Sequence, residues 1–164
     1  MSGIRHGDWS KRLSPEANAR RELPAILASY YSYVRRELSK DPPPPRLHPL
    51  RLATKRVRYT LELFRPLNGR GLEERLDSLR KVQQQLGNTN DCVATWELLS
   101  GKMGRSIQRR RVEKFLRARA EKQAQDFRDQ WQEHFEAPGR EEWWMRYLAR
   151  PRHLPARDVR SRTR

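Results

Sequence analysis

In the stretch LHPLRLATKRVRYTLELF, residues 47–64, His48, Arg51, Lys55 and Arg58 recur at steps of three, four and three. On a helix, with about 100° per residue, they fall at about 0°, −60°, −20° and −80°, one narrow stripe. Leu50, Ala53, Val57, Leu61 and Phe64 fall on the opposite side, between about 140° and 220°. The stripe has no nucleophile paired with a base. It offers guanidinium forks and an ammonium, which bind phosphate oxygens. Like charges stacked one turn apart repel, so the stripe costs stability until an anion lies on it.

A basic face opposite an apolar face also fits a plain solvated surface, and periodicity alone favours that reading. Three features argue for a site. Glu62 is the one acid near the stripe, although the chain carries 20 acids. A histidine leads it, where a lysine would serve solubility better. The pattern also returns downstream, where Arg110, Lys114 and Arg117 repeat a helical spacing and residues 105–122 hold eight Lys/Arg against Glu113 and Glu121. Two such helices facing each other would focus a positive potential along a groove.

Composition points the same way. The 164 residues suit one domain of modest core. Lys and Arg total 36, for a net charge of +16, which implies a polyanionic partner and says nothing of fold. One cysteine, Cys92, excludes an internal disulfide and fits a reducing, cytoplasmic setting as a small buried residue. No secretory h-region and no apolar run of spanning length is visible, so no membrane association is expected. His6, His48, His134 and His153 lack zinc spacing, no carboxylate cluster would hold magnesium, and no phosphate-binding GxxxxGK[ST] loop occurs. The expectation is a non-enzyme without metal or cofactor; His48 as a phosphorylated nucleophile is the remaining enzymatic reading.

The elements that must carry these residues read as helices throughout. Ser14 and Pro15 mark the start of a first helix with Leu23, Ile26, Leu27, Tyr30, Tyr31 and Val34 on one side and Pro24 inside. DPPPP ends it as a stiff extended connector. A second helix covers about 46–65 and a third about 71–86. Gly87 is expected to stop the third, with Asn88–Asp91 as a turn capping a fourth over CVATWELL. A long helix follows over about 105–135, its apolar line being Val112, Phe115 or Leu116, Ala120, Ala124, Phe127, Trp131 and Phe135. This predicts an all-α antiparallel bundle of about five helices over 14–136. Residues 1–13 read as a flexible N-terminus and 137–164 as a basic, Pro-containing, largely disordered tail, in which EEWWMRYL has the pattern of one amphipathic turn or two. Trp131 reads as core, and Trp143 and Trp144 as a cover for the bundle end or a dimer seam.

Two motifs taken together carry a resemblance. They are H48-x-x-R51-x-x-x-K55-R56-x-R58-Y59-x-L61-E62-x-F64 and L79-R80-x-V82-Q83-x-x-L86-G87-x-x-N90-D91. In this order the chain resembles the CHAD family of conserved-histidine α-helical domains, over about 15–136. The resemblance implies a helical fold with a basic channel between two halves, and non-catalytic binding of inorganic polyphosphate. It implies that His48, Arg51, Lys55, Arg56 and Arg58 are anion ligands, with Arg80 at the basic position of the third helix. Asp91 then matches an acid that caps a helix or orients an arginine. Only one copy of the motif pair is present, and it resembles the second half of a full domain. A homodimer is therefore expected to supply the other wall, unless Arg110, Lys114 and Arg117 of the same chain do so. The alternative partner is nucleic acid, bound through its backbone; a regulatory subunit of a phosphate-handling enzyme is a third reading. Polyphosphate granules are one cytoplasmic place where such a binder would gather.

Overall fold

The computed structural model describes residues 3–69, 71–102, 104 and 106–150. It is all-helical, with α1 over Pro15–Leu38, α2 over His48–Leu63, α3 over Arg65–Asn68, α4 over Gly71–Lys102, α5 over Ile107–His134 and α6 over Arg140–Ala149. Ser14 caps α1 as expected, its hydroxyl accepting from the Ala17 N–H at 3.2 Å, and the helix runs through Pro24. The proline connector is extended only at its start, because Pro44–Leu47 winds into a 3₁₀ turn that delivers the chain to α2.

The register of the side-chain bonds shows the packing to be antiparallel. His48 meets Asn90, Arg58 meets Gln83 and Arg80 reaches Glu62, so α2 and α4 run in opposite directions. Asn88 meets Gln123 and Ser100 meets Glu113, which sets α4 against α5 in the same way. The main core gathers Leu23, Leu27, Tyr30, Val57, Leu76, Leu79 and Phe127, all essentially inaccessible to solvent.

Four expectations need correction. α4 does not stop at Gly87, and residues 88–91 form no turn. A glycine inside a helix costs only about 1 kcal/mol, and the polar residues after it are used laterally. The Thr89 hydroxyl donates to Gln85 O at 2.9 Å, Asn88 bonds α5 and Asn90 bonds His48. Next, residues 140–149 are not tail but a packed helix. Trp144 and Leu148 are buried, and Arg35 bridges Glu136 at 2.7 Å and Glu141 at 2.8 Å to fasten that end to α1. The rest of the expected tail, 151–164, lies outside the described residues.

Third, residues 3–13 are tethered. Ile4 is buried, Trp9 stacks on Phe64 with centroids 5.2 Å apart, and the buried Glu22 carboxylate accepts from the Asp8 N–H at 2.9 Å and from Arg5 at 3.0 Å. The apolar line of α5 is also shorter than its periodicity implies. Ala120, Ala124, Phe127, Trp131 and Phe135 are buried, but Val112 and Phe115 are exposed. There the α4–α5 pair projects past the start of α2, and among the described residues a small cluster of Cys92, Val93 and Ala120 with Trp96 joins the two helices, together with the Ser100–Glu113 bond.

Candidate anion-binding groove

α2 turns its apolar side, Leu50, Ala53, Val57 and Leu61, into the core. That fixes the direction of the stripe. Between α2 and α4 lies a groove of about 390 Å³, lined by Arg51, Arg58, Arg80, Gln83, Gln84, Gly87 and Asp91. Pro49 sits in the first turn of α2, where its missing N–H costs no helical bond. His48 stands at the same helix end, with Nδ1 2.7 Å from Asn90 Oδ1. An amide oxygen only accepts, so Nδ1 carries the hydrogen and Nε2 is left for other contacts.

The cations of the groove are held differently from one another. Arg58 Nε donates to Gln83 Oε1 at 2.8 Å and its Nη1 to Glu62 Oε1 at 2.5 Å. Arg80 lies among Asp77 at 2.6 Å, Glu62 at 3.4 Å and Glu73 at 3.9 Å, and Asp77 foremost, then Glu62, push its pKa further up against the opposing effect of burial. Glu62 thus braces both helices across the groove. Arg51 differs: its Nε is buried with no hydrogen-bond partner, and it faces Gly87, where a Cβ would lie 3.6 Å away. A buried donor without an acceptor carries a desolvation cost of about 1–3 kcal/mol that an incoming oxyanion would remove.

The structure therefore brings together Arg51, Arg58, Arg80 and Asp91, with His48 at the end through Asn90. It does not bring in the others. Arg56 points away, its Nη1 3.3 Å from His6 Nε2. Lys55 lies over the exposed Tyr59 ring at 5.5 Å rather than among the lining residues. Asp91 caps nothing, since α4 passes straight through it, and no ion pair to its carboxylate occurs among the described residues. Arg110, Lys114 and Arg117 form no facing wall. The α4–α5 register sets them beside α4 residues near 95–102, beyond the His48 end of α2, with Arg117 over the Trp96 ring at 4.8 Å.

The wall opposite the stripe is α4 itself. Arg80, Gln83, Gln84, Gly87 and Asp91 repeat at helical steps, a signal hidden by the expected break at Gly87. Glu62, Gln83, Gln84 and Asn90 were not foreseen as parts of the site. Among the described residues no group of three or more His, Cys, Asp or Glu is placed to hold a metal ion, and no helix is long and apolar enough to cross a membrane.

A helical bundle with a one-sided basic groove defines the class. The CHAD domain model matches residues 5–100, more than half of the chain, and the chain belongs to that family. CHAD domains are associated in general with binding polyphosphate. No curated protein and no solved structure matches the chain. The match covers α1 to nearly the end of α4, so it contains the whole groove and leaves α5 and α6 outside.

Proposed function

We propose that the chain binds inorganic polyphosphate, or another phosphate-rich polyanion, in the α2–α4 groove and does not transform it. The observation that carries this reading is Arg51, a groove-facing guanidinium whose buried Nε has no partner in the protein. Arg58 and Arg80 beside it are held in place by amide and carboxylate groups, so little rotamer freedom is lost when an anion arrives. The lining offers guanidinium, amide and a single carboxylate, and no nucleophile with its base, which supports binding without catalysis. The groove is open along one side, and a second copy of the chain is the proposed cover, with His48, Arg51 and Arg58 of both copies facing one ligand.

Fluorescence anisotropy with labelled long-chain polyphosphate tests this. The wild type should bind, and Arg51→Gln with Arg58→Gln should weaken binding about 100-fold, two charge-assisted contacts of about 1.5 kcal/mol each. The slope of log affinity against log salt should also become shallower. Normal binding by the folded double variant would remove the groove from the reading. Displacement of polyphosphate by duplex DNA at equal phosphate concentration would favour nucleic acid instead. Light scattering with and without polyphosphate decides the dimer.

A further inference from the structure

On the side of α4 opposite its groove-lining residues, α6 closes over the helix start and leaves a cavity of about 500 Å³. Gly71, Arg75, Trp143, Arg146, Tyr147 and Arg150 form its walls, and none of them lines the α2–α4 groove. Arg75 is only 4% exposed. Its guanidinium carbon lies 3.3 Å from the Trp143 ring centroid and 3.8 Å from that of Tyr147. Its Nη1 donates to Gly71 O at 2.9 Å and its Nη2 to Trp143 O at 2.7 Å. Two aromatic rings and two carbonyls thus fix a cation at the cavity wall. A Cβ on residue 71 would come 2.6 Å from the Tyr147 ring, so glycine is what lets this ring approach.

Arg146 in the last turn of α6 and Arg150 just past its end add two more cations, both exposed. The Arg146 partner, Glu142, is bonded at 2.9 Å with both side chains more than 70% exposed, a pair worth little and easily exchanged for a stronger anion. The cavity is far larger than a single oxyanion and falls in the range of sites for small organic ligands. The half-buried Trp143 ring at the wall suits a flat π system, and the outer arginines suit phosphate oxygens.

We propose that this cavity is a second anion site, separate from the groove, for a small phosphorylated ligand that carries a planar ring, a nucleoside monophosphate in its simplest form. A polyphosphate chain has no ring and needs an extended track, so the two sites take different ligands.

Titration calorimetry of the full chain with AMP, ribose 5-phosphate and inorganic phosphate tests the site. AMP should bind about tenfold or more tightly than ribose 5-phosphate, the difference being the ring. Arg146→Gln with Arg150→Gln, two exposed positions that leave the fold intact, should weaken AMP about tenfold or more. Arg51→Gln with Arg58→Gln in the groove should leave AMP affinity within about twofold. No heat with millimolar AMP, equal affinity for ribose 5-phosphate, or loss of AMP binding in the groove variant instead of the α6 variant would overturn the proposal.

Discussion

The α2–α4 groove and the aromatic junction of α1, α5 and α6 are built on opposite principles. The groove is polar and open to solvent, and its order comes from charge-assisted bonds of Arg58, Arg80, Glu62 and Gln83. The junction is dry: Trp131 stacks on Phe135 with centroids 4.5 Å apart, Phe135 on Trp144 at 5.8 Å, and Tyr30 meets Trp131 edge-on at 5.6 Å. The CHAD match holds the first region entirely, while three of those four rings, Trp131, Phe135 and Trp144, lie beyond it. The lesson is a division of labour along the chain. Arg58 and Arg80 are paired with Glu62 and Asp77, Arg51 Nε is buried without a partner, and burial of large rings elsewhere offsets the cost of crowding these cations together.

The comparison breaks most visibly at Trp131. Trp131→Ala should cost about 3–5 kcal/mol by denaturant unfolding, while the protein that remains folded binds polyphosphate with unchanged affinity. A loss of affinity in that folded fraction would show that the junction and the groove are not independent.

A smaller effect is expected from the tether at Glu22. The Asp8 N–H, then Arg21 and Arg5, hold its carboxyl below the ordinary value of 4.5. Below that ordinary value the unfolded chain takes up a proton before the folded one does, so the stabilisation present at neutral pH fades as pH falls through the folded value. Glu22→Gln should lower stability at pH 7 by about 1 kcal/mol, discounted for its half-exposed arginine partners, and should flatten the acid limb of a plot of melting temperature against pH. An unchanged acid limb would mean that residues 3–13 are held by Ile4 and Trp9 alone.

The smallest change is at Gly87. Its added methyl would meet Arg51 Nε at 3.6 Å, an ordinary contact. Gly87→Ala should therefore stabilise by about 0.5–1 kcal/mol through helix propensity and weaken polyphosphate binding a few-fold, because the methyl takes up groove space beside Arg51 Nε. Unaltered affinity would place the ligand away from this turn of α4.

Much of this was legible in the sequence, and the limits have physical causes. The stripe of α2 could be read because its apolar side is clean, from Leu50 to Leu61, which leaves one orientation available. The start of α1 could be read from Ser14 and Pro15, whose capping chemistry is local. The opposite wall could not, because Gly87 with Asn88, Thr89 and Asn90 has turn chemistry, and only partners distant in sequence, His48 and Gln123, show why the helix continues. α6 was hidden by its length: ten residues hold too few turns for a periodic signal, and its place depends on Arg35 and Arg75, far away along the chain. Arg56 was carried into the site by motif alone, and its side chain points to His6 instead.

The unbroken course of α4 has one more consequence. It carries the groove wall near its middle and, through its register with α5, sets Arg110, Lys114 and Arg117 beside its far end. Along a rigid rod rising 1.5 Å per residue, those two groups of cations stand about 20 Å apart. On the proposed reading, an anion shorter than that span has one hold on the protein, while a longer one gains a second at high effective concentration. Affinity would then rise in a step with the length of the ligand, and α4 would act as the ruler that sets where the step falls.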